Sequence, residues 1–429
     1  MKSTVEFARK VIFLDERFSA MIGDSGVNVP GLGVIIYKGG REVYANFFGS
    51  RKLGKKNLPV TRDTKFRVAS LSKQFTIFTL MQLVEQGQLN LDEDISRYLG
   101  FELRNPRFPA VPITARMLAS HTSSIRDGKI YSIPPNFSLK EFFTADGKFF
   151  EDGAHFASEP PEKFFTYCNL NYGILGTLIE VLTGTRFDIY QRENILSQLD
   201  TRADYVVGNL SRQDFELLGA TYQKKDSEGH WDEFGKWYAK ADDYAAQPAR
   251  DTIYLQNPYA ENFCGTYDLK SYQVGTNATI FSPQGGLRIS FDELTHAMEM
   301  ILNGGTYRGR RILRQESLAE MFKPQWIFDA KKNNGDTCGG VMLSYGLGEY
   351  QIDGKSKARL CKHTEINFVG HTGIAFGLLA GMFFCAGTKD AFLYIANGHC
   401  LDESNPRSLG KFSGNYIWEE NIFSLYLSE

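Results

Sequence analysis

No apolar run in this 429-residue sequence approaches the ~20 residues of a membrane-spanning helix, so no span is expected. Charge of one sign is also missing. The formal net charge is −2, which gives no general attraction to nucleic acid or to an anionic membrane. The six cysteines are scattered over positions 168, 264, 338, 361, 385 and 400 with no Cys-x-x-Cys, which excludes a dense disulfide framework and points to free thiols. None of the seven histidines stands in His-Glu-x-x-His or a similar ligand spacing, so no metal is expected, and no cofactor either. Internal repeats and low-complexity tracts are absent. The opening Met1-Lys2-Ser3-Thr4-Val5-Glu6 lacks the apolar core of a signal peptide. The expected compartment is therefore cytoplasmic as numbered, or periplasmic or extracellular if a leader has been removed.

What remains suits a globular protein. Hydrophobic residues make up 42% and charged residues 23%, and the length allows one large domain or two lobes. The stretch from Phe66 to Phe75 opens a helix with apolar residues at Ile77, Leu80, Met81 and Val84, one buried face at i, i+3, i+4, i+7 spacing. Gly87 suits the position just past its end. Ser70 and Lys73 lie three apart on that helix, close enough for the amine to take the hydroxyl's proton. Acting as a base near neutrality requires the lysine to titrate roughly 3 units below its ordinary ~10.4. A Ser-x-x-Lys match arises by chance roughly once or twice in a chain this long. A second copy, Ser408 to Lys411, follows Asn405-Pro406 and reads as a loop.

Along the chain, Leu32–Tyr37 and Glu42–Phe48 flank Gly39-Gly40 as a hairpin. Residues 126–166 have no clear period and read as a structured wall or lid. A helix follows Tyr167-Cys168-Asn169 and ends at Gly184. Residues 201–280 read as a surface insertion or a substrate-shaping loop. Gln284-Gly285-Gly286 turns into a helix from about Phe291. Strands then carry His371-Thr372-Gly373 and Phe392–Ala396, before a last helix. The expected fold is α+β. An antiparallel sheet flanked by helices comes from 1–75 and 290–429, and a mostly helical lobe from 76–289, with the irregular 201–280 insertion and a ligand cleft between.

Three short elements thus stand in order: Ser70-x-x-Lys73, Tyr167-Cys168-Asn169 and His371-Thr372-Gly373. Each has decoys, namely Tyr44-Ala45-Asn46 and the glycine-less His121-Thr122 and His363-Thr364. The set with its flanks resembles the serine β-lactamase and penicillin-binding protein superfamily, in its class C β-lactamase-like branch. The flanks include Phe66-Arg67-Val68-Ala69, Leu118-Ala119-Ser120-His121-Thr122-Ser123 and Gln284-Gly285-Gly286-Leu287.

The resemblance implies a nucleophile at Ser70, a base at Lys73 and a proton relay at Tyr167, with Asn169 orienting Lys73 and a substrate amide. It implies an oxyanion hole from the N–H groups of Ser70 and Ile374, beside a substrate-binding strand of His371, Thr372 and Gly373. The sequence departs from class C β-lactamases at His371, where they have lysine. Histidine there is seen in some DD-carboxypeptidases, D-aminopeptidases and esterases. Loss of that permanent cation weakens recognition of a β-lactam carboxylate, and Arg359 is the candidate carboxylate-binding substitute. The expected activity is a serine hydrolase acting through an acyl-enzyme on small amides, esters or D-amino-acid-containing peptides. The alternatives are a β-lactamase or a slowly deacylating penicillin-binding sensor or assembly protein. The expected partner is a small-molecule or peptide substrate, with the oligomeric state open.

Overall fold

Gly39 and Gly40 take φ values of 55° and 79°, the left-handed pair a two-residue hairpin turn demands. They join the strands Gly31–Lys38 and Arg41–Lys52. In the computed structural model, which describes residues 2–24, 26–225, 228–255, 264–352, 367–385, 387–400, 410–411 and 413–427, this hairpin belongs to a nine-stranded sheet. The strand order is Trp326–Ile327, Ser344–Tyr345, Tyr350–Ile352, Phe368–Ala375, Leu378–Cys385, Asp390–Ala396, Gly31–Lys38, Arg41–Lys52 and Leu58–Pro59. Every neighbouring pair is antiparallel.

The inner strands read as continuous apolar runs because both faces are covered. Val34 and Ile36 pack with Leu14 and Phe18 of the helix Lys2–Ser19 and with Trp418 and Phe423 of the helix Ile417–Leu427. Ile35, pointing the other way, packs with Phe291 and Leu294 of the helix Phe291–Leu302. That period of two divides the interior into two layers. The Tyr44-Ala45-Asn46 decoy has a structural job, since Tyr44 Oη and Asn46 Nδ2 both donate to Asp15 of the first helix.

The sequence expectation for the serine helix is revised in two ways. Phe66 and Arg67 belong to a short strand, Lys65–Arg67, paired with Arg288–Ser290, and the helix proper runs Ser72–Glu85. Ser70 lies in the 3₁₀ turn between them, where Ala69 adopts φ 48° to swing the chain from strand to helix. The helix also buries all its sides rather than one apolar face, with Lys73, Gln74, Thr76 and Thr79 inside. It is sandwiched between the sheet and the helix Leu170–Thr183, so its polar residues must find partners within the protein. Gly87 follows it with φ 72°. Residues 201–280 are not a mere surface excursion. Ala203, Tyr205 and Val206 are buried, and Thr221–Gln223 pairs with Tyr238–Ala241 and Gly398–His399.

Candidate active site

Three elements converge on Ser70. The turn Ala69–Leu71 brings the hydroxyl to the edge of the sheet, where Gly373 of the strand Phe368–Ala375 lies against it. A methyl group on Gly373 would sit 2.5 Å from the carbonyl oxygen of Val68, so only glycine lets strand and turn approach this closely. The third element is the entry to the helix Leu170–Thr183, which carries Tyr167 and Asn169 just ahead of it.

The side chains form one connected network. Lys73 Nζ donates to Ser70 Oγ at 3.0 Å, to Asn169 Oδ1 at 3.0 Å and to the Gln284 carbonyl at 3.3 Å. Tyr167 Oη donates to Ser70 Oγ at 2.9 Å and lies 3.4 Å from His371 Nε2. His371 Nδ1 contacts the Thr372 carbonyl, which only accepts, so the ring hydrogen sits on Nδ1. Nε2 is then an acceptor for the Tyr345 hydroxyl at 3.1 Å. The second turn of this network is Asp127. It accepts from Asn169 Nδ2 at 2.9 Å, from the backbone N–H of Leu170 at 2.8 Å and from Cys168 Sγ at 3.3 Å. A carboxylate on the first N–H of a helix also meets the positive end of its dipole.

Burial tunes these groups. Desolvation pushes Lys73 down to about 7, against the attraction of Asp127 and Cys168. Its amine also lies 4.7 Å from the Tyr167 ring centre and 5.2 Å from that of Tyr172. Burial holds the Tyr167 phenol well above its ordinary value, while the bond to Ser70 opposes it. His371 goes down to about 3, first by burial and then by repulsion from Lys73. An unperturbed histidine would change charge near pH ~6.5. This one stays neutral far below that.

The structure therefore brings together Ser70, Lys73, Tyr167, Asn169, His371, Thr372 and Gly373. Ile374 follows at the rim, 44% exposed. Arg359 lies outside the described residues, as does Ser408 of the second Ser-x-x-Lys. Sequence reasoning missed Asp127, which sits in an aperiodic segment with no motif to mark it. His121, which the sequence placed only among the decoys and flanking residues, packs its ring 4.4 Å from that of Tyr167 and accepts from the Cys168 N–H at 3.1 Å. Chemically, the site offers a hydroxyl between a buried amine and a phenol. The amine can take a proton at neutral pH and the phenol can pass one on.

Residues 18–400 match the family described as Beta-lactamase. Protein flp of Staphylococcus aureus (strain N315) is 27% identical over 205 residues, a match that takes in 45% of this chain and 39% of that protein. The chain thus spans well under half the length of that curated relative. Among solved structures, EstCE1, a hydrolase with promiscuous acyltransferase activity, superposes with TM-score 0.66 at 18% identity, covering 99% of this chain and 100% of that one. The D-amino acid amidase from Ochrobactrum anthropi SV3, complexed with D-phenylalanine, gives TM-score 0.60 at 20% identity over 99% of this chain and 98% of that one. At these identities the structural likeness establishes the α+β fold, an antiparallel sheet flanked by helices with a helical lobe.

Proposed function

The chain belongs to the Beta-lactamase family, hydrolases that act on small substrates by nucleophilic chemistry, and from that premise we propose that it is a serine hydrolase of the class C-like branch working through an acyl-enzyme at Ser70. The observation that carries the reading is the placement of Ser70 Oγ within 3.0 Å of an amine pushed down to about 7. Neutral Lys73 takes the serine proton as the oxygen attacks the substrate carbonyl. Tyr167, within reach of the same oxygen, hands a proton to the departing group. Asn169 fixes Lys73, and the N–H groups of Ser70 and Ile374 hold the developing oxyanion. Removing Lys73 or Tyr167 is expected to cost at least ~10²-fold in acylation rate.

The substrate class is small esters, amides or D-amino-acid-containing peptides. Support comes from His371, which is neutral and offers no cation to a carboxylate on the leaving group. A penicillin carries its carboxylate there. A panel of p-nitrophenyl esters, D-aminoacyl anilides, D-Ala-D-Ala peptides and a chromogenic cephalosporin tests the reading. Esters or anilides are expected to acylate faster than the cephalosporin, and His371→Lys to raise the cephalosporin-to-ester ratio about tenfold or more, the scale of a hydrogen bond to a charged group. A wild type that prefers the cephalosporin, or a ratio unmoved by the lysine, contradicts it.

A further inference from the structure

Arg67 and Arg288 line a polar cavity of about 30 Å³ with Tyr244, Thr252 and Ser282. That is room for about two waters or one carboxylate group. The two arginines differ in what they face. Arg288 is held bidentate by Asp242, at 3.0 and 2.8 Å, so its charge is matched. Arg67 donates from Nε to the Gly285 carbonyl at 3.1 Å and lies 4.8 Å over the Phe376 ring, and among the described residues it makes no ion pair. Two guanidinium groups therefore share one carboxylate. Burial and repulsion from Arg288 lower Arg67 only to about 10, which leaves it charged at neutral pH. A planar cation with spare donors in a small concave site suits a carboxylate.

Its position relates it to the chemistry. Arg67 is three residues before Ser70, and its acceptor Gly285 stands next to Gln284, whose carbonyl accepts from Lys73. Tyr167 and His371 meet at the middle of the strand Phe368–Ala375, whereas Phe376, beneath Arg67, follows its last residue. At ~3.3 Å per residue His371 and Phe376 are on the order of 15 Å apart along the chain, with Gly373 against the serine turn between them. On the Ser70 acyl-enzyme reading, a leaving group protonated by Tyr167 departs on the His371 side, which leaves the Phe376 and Arg67 side for the acyl part.

We propose that this cavity is an acyl-side carboxylate subsite, and that the favoured substrates are monoesters or monoamides of short dicarboxylic acids. The assignment of acyl side rests on the Ser70 acyl-enzyme reading. In the step itself the Ser70 oxygen–carbonyl carbon bond forms and the carbon–leaving-group bond breaks. The serine proton passes to Lys73 and a proton reaches the leaving atom through Tyr167. The distal carboxylate is unchanged, ion-paired to Arg67.

The test compares phenyl hemiglutarate with phenyl valerate, of equal chain length but neutral, on the wild type, Arg67→Gln and Arg67→Lys. Calorimetry of glutarate binding to the Ser70→Ala protein, with and without Arg67→Gln, is run alongside. The expected kcat/KM ratio favours the hemiglutarate at least tenfold in the wild type and falls with added salt. Arg67→Gln removes that preference and Arg67→Lys keeps part of it, while glutarate binding is lost with Arg67→Gln. Equal use of both esters, an equal fall of both in Arg67→Gln, or no glutarate binding overturns the subsite. Turnover of both esters without preference leaves the hydrolase reading standing. Arg67-dependent glutarate binding with no turnover of either ester keeps the carboxylate site and sinks the hydrolase.

Discussion

Lys73 is the residue on which pH acts. Its folded value of about 7 means that the neutral amine, the form able to act as a base, fills in as pH rises through neutrality. For a neutral ester, kcat/KM is expected to rise about tenfold per pH unit below 7 and to level off above it. His371, at about 3, adds no second limb between pH 5 and 8, so a second inflection in that range besides the one from Lys73 would count against its neutral state. Asp127 pulls Lys73 the other way. Asp127→Asn keeps the shape, loses that attraction, and is expected to move the inflection to lower pH as well as slowing acylation. A slower enzyme with an unmoved inflection would reduce Asp127 to a prop for Asn169. The side chains the structure gathers around Ser70 were mostly legible in the sequence, because each lies in a short motif with its own spacing. Asp127 was not. It arrives from an aperiodic loop, and its bonds to Asn169 and Leu170 exist only after folding.

The strand Phe368–Ala375 and the serine turn fit only while position 373 has no side chain. Gly373→Ala would set a methyl 2.5 Å from a backbone oxygen that cannot rotate away. Overpacking of this kind costs about 1–3 kcal/mol. Parting the strand from Ser70 by even ~1 Å is expected to slow acylation about 10²-fold. Gly54→Ala, where nothing lies within 4 Å, is the control and should leave both stability and rate near wild type. Thermal melts together with ester kinetics on the two variants decide the matter, and a Gly373→Ala enzyme of full activity contradicts the close-approach account. Helices and the hairpin were readable because their signals are local, in Gly39-Gly40, Gly87 and Gly184. The strand Lys65–Arg67 was not, because its partner Arg288–Ser290 is far along the chain and three residues carry no period of their own. Burial of the helix Ser72–Glu85 on every side over most of its length escaped for the same reason. A sequence shows which side of a helix is most apolar, not how many neighbours will enclose it.

At the scale of the whole molecule, the site is built at a cost in stability. Lys73 titrates lower in the folded chain than in the unfolded one, so below pH 7 the protein carries a buried cation and the full penalty. Between about 7 and 10.5 the unfolded state binds more protons, stability rises with pH, and above that range the penalty is gone. The penalty at neutrality is on the order of 3–5 kcal/mol by the conversion of pKa to free energy. Lys73→Met is therefore expected to unfold at higher denaturant than the wild type at pH 6–7, with the advantage shrinking toward pH 10. An advantage independent of pH would assign it to packing instead. The α+β layering was legible from the order of the motifs and strands, whereas the packing of 201–280 into the body was not, since its aromatics and charges follow neither period. The most direct test of the Ser70 acyl-enzyme is to mix the protein with a p-nitrophenyl ester, quench in acid within the first turnover, and map the mass gain by peptide. The account predicts one acyl group per chain on the peptide containing Ser70, and none in Ser70→Ala. An adduct on another residue, or undiminished ester turnover by Ser70→Ala, would contradict it.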